Sequence, residues 1–324
     1  MSDRAVSKVS NRLIGQEPRH MVHVAVVMGG MSSERDVSLS SGEGIVRGLC
    51  QAGYDVTPID MGYDIAQILA GIKPDIVFNA LHGTYGEDGC LPGLLMILGI
   101  PFTHSGVMAS AIGFDKSLAR RVFTSGDIPV APAIEIDRTH WDVEQEPMPR
   151  PYVIKPISQG SSVGVHLVFP GDNFCLRDYD WMYGDRVLVE RYIPGREIQV
   201  AVLGDRALGA IEICAHNRFY DYEAKYTDGR ATHVMPAPVD EKTYQRLMDY
   251  ALKAHQLLGC LSVSRSDFRV DDTVKNRDPE IYLLEINTHP GMTPLSLVPE
   301  IAAYYDIAFP QLLHEIVQAG LCAR

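Results

Sequence analysis

The residues best suited to chemistry are Arg265, Asp267, Glu285 and Asn287, a cation and three oxygen donors carried by two β-patterned segments near the C-terminus. Side chains alternate faces along a strand. Arg265, Asp267 and Arg269 therefore share one face of the first segment, and Leu283, Glu285 and Asn287 share one face of the second. The polar stretch 271–280 between them reads as a hairpin loop. If the two strands pair, Asp267, Glu285 and Asn287 converge with Arg265 alongside. Oxygen-only donors suit a hard cation, and Mg²⁺ takes one or two carboxylates together with substrate phosphates. The competing reading is a salt-bridged sheet face. Glu285 and Asn287 favour the metal-phosphate site, because they interrupt an otherwise apolar strand and are costly to bury without a partner.

A second constellation surrounds Gly160-Ser161-Ser162-Val163-Gly164. Residues 151–155 read as a strand ending in Lys155, and 165–168 as another. The pentapeptide matches the hydrolase pattern Gly-x-Ser-x-Gly, but that elbow needs strand–turn–helix, whereas β-branched Val163 and Val165 predict a second strand. It also lacks the Gly-Lys-Ser/Thr ending of a phosphate loop. A glycine-rich hairpin tip remains, whose N–H groups can fold over phosphates while Lys155 adds charge. A plain flexible turn is the alternative. Nearer the N-terminus, Gly29-Gly30-Met31-Ser32-Ser33-Glu34 does not complete the dinucleotide fingerprint. It does open a helix, whose N-terminus can hold an anion or be capped by its own serines. His82, in the segment 81–89 after a strand, stands where α/β domains carry ligand loops, or is a satisfied core histidine. Lys225 and Tyr226 lie in a polar, aromatic segment that otherwise reads as a solvated loop.

These groups need a scaffold, and the hydrophobic pattern predicts one of class α/β, becoming α+β in the C-terminal part. Residues 23–28 form an apolar run of buried parallel-strand type, followed by a helix to about residue 51 that Gly53 stops. Strands at 56–59 and 76–81 alternate with helices at 65–70 and 91–98, giving an open parallel-sheet domain over 21–105. One continuous helix is expected over 109–125, bearing Asp115 and Lys116. With strands at 151–155, 165–168 and 187–192 it makes a second domain, 106–194. Residues 195–324 make a third, with strands at 198–203 and 208–213, a helix at 244–258, the hairpin and a last helix near 309–318. Residues 1–20 read as a flexible leader.

Composition narrows the function classes. At 324 residues the chain exceeds the size at which a single core keeps growing, so two or three domains are expected. A net charge of -12 argues against non-specific binding to nucleic acid or an anionic membrane. Six scattered cysteines form no Cys-x-x-Cys pair, and no apolar run resembles a signal peptide or a membrane span. Reduced thiols in a cytoplasmic protein are the expectation.

Taken in order, the motifs resemble the D-alanine–D-alanine ligase family of the ATP-grasp superfamily over about 22–317. The resemblance rests on Gly29-Gly30-x-Ser32-x-Glu34-Arg35-x-Val37-Ser38, on Ala80-Leu81-His82-Gly83 with Gly86-Glu87-Asp88-Gly89, and on the 160–164 loop. It rests also on Tyr220-Asp221-Tyr222-Glu223-Ala224-Lys225-Tyr226, on Leu284-Glu285-x-Asn287-Thr288-x-Pro290-Gly291-Met292-Thr293, and on Ser296-Leu297-Val298-Pro299. Gln159 departs from an acidic residue, His289 from a serine, and Ser262-Val263-Ser264 from a glycine- and aromatic-bearing stretch.

The resemblance implies a three-domain ATP-grasp architecture with ATP between the second and third domains. Lys116 and Lys155 would contact its phosphates under the 158–164 loop with Ser162, while Glu190 and the backbone near Tyr192 and Ile193 would receive adenine. Glu197 would bind the ribose. Asp267, Glu285 and Asn287 would hold two Mg²⁺ ions, with Mn²⁺ able to substitute. The implied activity joins two D-alanines through a D-alanyl phosphate, for peptidoglycan precursor synthesis, in a homodimer. Glu34 would face the first ammonium and His82 would shape its pocket. Arg265 and the Gly291 N–H would stabilise the oxyanion. Ser296, Leu297 and Lys225 would hold the second substrate, and Ser161, Tyr226 and Glu34 would form one hydrogen-bonded cluster. Three other readings compete: a D-alanine–D-lactate ligase, an ATP-grasp ligase of another carboxylate and amine, and a nucleotide-binding regulator without catalysis. Lys225 with Tyr226 favours the dipeptide product, and the full set of metal donors with Arg265 disfavours the regulator.

Overall fold

The apolar run His23–Met28 forms β1, in which Val24, Ala25, Val26 and Val27 are fully buried. In the computed structural model, which describes residues 21–215, 231–293 and 295–323, β1 is the centre of a parallel sheet. Its neighbours are β2 (Asp55–Asp60) and β3 (Ile76–Asn79), reached through the crossover helices α1 (Arg35–Gln51) and α2 (Ile65–Ile72). Parallel pairing demands such crossovers. Segments 29–34 and 80–89 leave this sheet at the carboxyl ends of β1 and β3, the edge where open α/β sheets bind ligands. α3 (Cys90–Leu98) follows.

The helix expected over 109–125 is two helices, α4 (Val107–Phe114) and α5 (Lys116–Ser125). Asp115 between them is extended (φ -92°, ψ 104°), and its carboxylate accepts from the Leu118 N–H, the N-cap arrangement that starts a helix. Apolar periodicity does not register the break, because Ala109 of α4 and Ala119 and Phe123 of α5 enter one core. The second sheet is antiparallel, built from β4 (Ala133–Asp137), β5 (Tyr152–Pro156), β6 (His166–Val168) and β7 (Arg186–Arg191) in the order β4-β7-β5-β6. β5 and β6 form the expected hairpin around the glycine-serine tip. β4 was not anticipated, since Ile136 is its one fully buried residue and the alternation around it is weak.

The third sheet runs β10-β9-β8-β11-β12, from β8 (Arg196–Leu203), β9 (Arg206–Ala215), β10 (Ala231–Val234), β11 (Val263–Asp271) and β12 (Glu280–Asn287). On one face it packs α4, α5 and α6 (Glu241–Leu258). On the other, Ala201, Ile211 and Val263 share a core with Ile45 and Leu49 of α1 and with two C-terminal helices, α7 (Leu297–Tyr304) and α8 (Phe309–Cys322). That common core holds the ligand edge of the first sheet against the third.

β12 departs from uninterrupted alternation. Arg265 pairs with Asn287 and Asp267 with Glu285, but Phe268 then pairs with Leu283. Leu284 is therefore an extra residue, a β-bulge. Leu283 is buried with Phe268 and Ile281, so it does not share the Glu285 face as expected. Without the bulge, either Leu283 would enter the cleft or Glu285 the core. The bulge lets one strand bury Leu283 and Ile286 while presenting Glu285 and Asn287 to the cleft.

Two buried histidines couple this fold to pH. His255 of α6 is hydrogen-bonded to Ser264 Oγ (2.7 Å), and burial pushes its pKa from 6.5 down to about 4. Burial, assisted by His82, pushes His104 down to about 3. Between these values and 6.5 the unfolded chain binds more protons than the folded one, so stability is complete above pH 6.5 and lost as pH falls. The urea midpoint is expected to drop between pH 6.5 and pH 4, and His255→Gln to flatten part of that drop. Equal midpoints across this window for the unsubstituted chain would refute the coupling.

Candidate active site

Two adjoining cavities occupy the cleft. The larger, about 380 Å³, lies between the second and third sheets and is within the range of small-molecule and cofactor sites. Lys155 at the end of β5 and Glu190 on β7 project into it from neighbouring strands and form an ion pair. Tyr192, Ile193, Glu197 and Asp267 complete its walls, and Ser162 covers it from the hairpin tip. Lys116, placed at the first turn of α5 by the Asp115 cap, donates to Gln159 O (2.6 Å) and lies 3.3 Å from Glu285 Oε2. Both lysines are only 9% exposed, and burying an ammonium is tolerable because each has an anionic or carbonyl partner.

The smaller cavity, about 90 Å³, lies against the edge of the first sheet. Glu34, at the N-cap position of α1, accepts a hydrogen bond from Ser161 Oγ, which ties the hairpin tip to the N-terminal sheet. His82 is held at both ring nitrogens, by Ser41 Oγ (3.1 Å) and Glu87 Oε1 (3.2 Å). Gly291 sits so close to Ser296 Oγ and the His82 ring that an added Cβ would meet them at 3.0 and 3.6 Å. A glycine there leaves the backbone open to the cavity. Ser296 Oγ accepts from Thr293 N (2.9 Å), which braces the same loop, and Leu297 lies beside it on α7. Arg265, Asn287 and Glu285 close the wall. Lys116, Gln159 and Glu285 line both cavities and so mark their junction.

The donor set predicted for a metal is assembled by the register of β11 and β12. Asp267 accepts from Arg265 Nε and Nη2 (2.8 and 3.0 Å), Glu285 faces Lys116, and Asn287 Oδ1 accepts from His289 N (2.7 Å). Among the described residues no three His, Cys, Asp or Glu side chains form a metal group. The third donor here is an amide oxygen. Two carboxylates and one amide oxygen on one sheet face are hard ligands, and they fit an ion that draws its remaining ligands from phosphate and water.

All the predicted positions that are described line one of these two cavities, whereas Lys225 and Tyr226 lie outside the described residues. Sequence reasoning missed three neighbours. Arg120 Nη1 approaches Glu190 Oε2 to 3.6 Å from behind the larger cavity. The rings of His104 and His289 lie 3.9 Å apart, and burial drives both below their ordinary pKa, so they pack as neutral rings. His289 had shown only as a departure from serine. Nothing in the chain's local pattern links it to His104.

A family model described as D-ala D-ala ligase C-terminus matches residues 122–318. D-alanine–D-alanine ligases of Rickettsia africae (strain ESF-5) and Rickettsia bellii (strain OSU 85-389) are 53% and 54% identical to this chain over 297 and 299 residues. These matches cover 91% and 92% of this chain, and equal shares of the two relatives. Among solved structures, the Bacillus anthracis D-alanine–D-alanine ligase complexed with ATP superposes with a TM-score of 0.79 at 28% identity, covering 93% of this chain and 98% of that one. The Coxiella burnetii D-alanine–D-alanine ligase gives 0.74 at 25%, covering 93% and 94%. Two sheets that close on a shared cleft under a hairpin lid make this an ATP-grasp ligase fold. Within it, the chain belongs to the D-alanine–D-alanine ligase family, a family of carbon–nitrogen ligases that use ATP and a divalent metal.

Ser161→Ala removes the hydroxyl that ties the hairpin tip to Glu34. A hydrogen bond to a charged acceptor contributes about 1.5–3 kcal/mol. Amide exchange in residues 157–165 should therefore accelerate by roughly tenfold or more in this variant. Equal exchange in both proteins would show that the bond does not hold the tip.

Proposed function

We propose that this chain joins two molecules of D-alanine at the expense of ATP, through a D-alanyl phosphate, to supply D-alanyl-D-alanine for peptidoglycan precursors. The observation that carries this reading is the junction of the two cavities at Lys116, Gln159 and Glu285; a γ-phosphoryl group held in the larger would there reach a carboxylate held in the smaller. The relatives' names agree with the dipeptide product, and none of those cited names a D-lactate product.

In this reading Lys116 and Lys155 exchange their present partners for phosphate oxygens, and Ser162 with its loop covers them. Glu190 and the backbone at Tyr192 and Ile193 receive adenine, and Glu197 takes the ribose hydroxyls. Glu34 faces the ammonium of the first D-alanine, in a pocket shaped by His82. The carboxylate oxygen of that D-alanine attacks the γ-phosphorus, the bond from phosphorus to the β-phosphate oxygen breaks, and ADP leaves. The amine of the second D-alanine, held by Ser296 beside Leu297, then attacks the acyl carbon, and phosphate departs. Arg265 and the Gly291 N–H stabilise the oxyanion of that step. The Ser161–Glu34 bond keeps the lid down, which excludes water from a hydrolysable acyl phosphate. Lys225 with the second carboxylate, and Tyr226 with Ser161, belong to the same proposal. Asp267, Glu285 and Asn287 would hold two Mg²⁺, or Mn²⁺ in their place, which when bound neutralise phosphate charge.

The proposal extends to a cytoplasmic homodimer. Among the described residues no helix is long and apolar enough to cross a membrane, and all six cysteines are free. Ile97 on α3 and Met108 on α4 are 85% and 70% exposed, apolar surface of the kind that subunit contacts cover.

ATP, Mg²⁺ and a panel of D- and L-amino acids, with products identified by mass, test the reading. D-alanyl-D-alanine and ADP are expected. ADP formation only with another amino acid, or none with any, would refute it. Asp267→Asn and Glu285→Gln should each nearly abolish turnover while the fold persists, because an amide cannot match carboxylate charge opposite a divalent ion. Turnover within a few-fold of the unsubstituted enzyme at saturating Mg²⁺ would remove the metal assignment. Arg265→Ala should lower kcat by about 10²–10³, with a smaller rise in the KM for ATP. A change confined to ATP affinity would move Arg265 to the nucleotide.

A further inference from the structure

Arg269 takes no part in the roles above, yet its guanidinium spends all three nitrogens on the edge of the larger cavity. Nε donates to Ile193 O (3.0 Å) and Nη2 to Gly195 O (2.9 Å), while Nη1 stands 3.6 Å from Glu197 Oε2. Its Cζ lies 5.8 Å from the centre of the Tyr192 ring. Every one of these partners belongs to residues 192–197, the connector that ends β7 of the second sheet and begins β8 of the third. That connector lines the larger cavity.

The placement is built into the fold. Arg269 and Glu197 are direct register partners on β11 and β8, so their side chains share a face. Gly195 has φ +92°, and a Cβ on it would lie 2.1 Å from Val270 O, so only glycine lets the connector press onto β11. That contact brings the connector carbonyls within reach of Arg269. A planar fork can satisfy separated acceptors at once, whereas a lysine ammonium acts as a single point charge. Glu197, on a strand with a flexible side chain, gains from Arg269 an opposite charge at 3.6 Å that limits its rotamers.

We infer that Arg269 is a positioning residue for the sugar end of the nucleotide site: it holds the 192–197 connector and the Glu197 carboxylate so that the ribose hydroxyls meet a preset acceptor. It thereby sets the enzyme's preference for ATP over deoxyribose analogues. The inference rests on the proposed binding of ATP in the larger cavity.

The test compares kcat/KM for ATP, 2′-deoxy-ATP and 3′-deoxy-ATP in the unsubstituted enzyme, Arg269→Met and Arg269→Lys. Arg269→Met should raise the KM for ATP roughly tenfold, the effect of one or two lost hydrogen bonds, and lower kcat by less. It should also reduce the preference for ATP over each deoxy analogue several-fold. Arg269→Lys, which keeps a cation opposite Glu197, should recover part of that preference. If Arg269→Met fails to fold, Arg269→Lys against the unsubstituted enzyme carries the comparison, with an intermediate preference expected. Nucleotide KM values that rise equally, leaving the preference unchanged, would overturn the inference while ATP-dependent turnover upheld the functional reading. Absence of ATP-dependent turnover in the unsubstituted enzyme would overturn both.

Discussion

Charge that is buried must be compensated, and the cleft is organised around that requirement. Glu34, Lys116, Lys155, Glu190 and Asp267 are each less than a tenth exposed, and an unpaired charge at such depth costs several kcal/mol. Each is therefore held against a partner: Glu34 by Ser161, Lys155 by Glu190, Lys116 by Gln159 O and Glu285, and Asp267 by Arg265 two residues away on its own strand. Ser161, Gln159 and Glu190 belong to the second sheet and its hairpin tip, and Glu285 to the third, so the pairing joins the second sheet to Glu34 of the N-terminal domain and to the third sheet as well as stabilising the cleft. A polyanionic substrate can enter such a network by replacing carboxylate and carbonyl partners of the lysines, without leaving a bare cation behind.

The backbone arrangement serves the same end. Antiparallel pairing of β11 with β12 places Asp267 opposite Glu285 and Arg265 opposite Asn287, and the Leu284 bulge resolves the conflict between a core-facing Leu283 and a cleft-facing Glu285. The core shared by α1, α8 and the third sheet holds the first-sheet loops at a set distance from that donor face. Interiors this densely packed transmit position well. A hydrogen bond such as Ser161 to Glu34 can therefore act as a latch between distant parts of the chain.

Arginines recur behind the carboxylates of the larger cavity. Glu190 faces Arg120 and Glu197 faces Arg269, each from an element other than its own. Such pairs hold the carboxylates in place where a nucleotide would otherwise meet a mobile side chain. The neutral, tilted rings of His104 and His289 play a different part, filling buried space without adding charge.

The α/β class, the glycine-serine hairpin and the strand face carrying Arg265 and Asp267 were legible in the chain, because each follows from local periodicity or turn chemistry. Its ordered motifs also sufficed for the family resemblance. Tertiary structure alone decided the rest. The break at Asp115 was hidden because α4 and α5 bury apolar residues in one core, so their combined pattern reads as a single helix. The Leu284 bulge was hidden because alternation carries no sign of an inserted residue until the partner strand supplies the register. Arg120, Arg269, His104 and His289 gained their places from contacts between segments far apart in the chain, and such contacts leave no periodic trace in either segment.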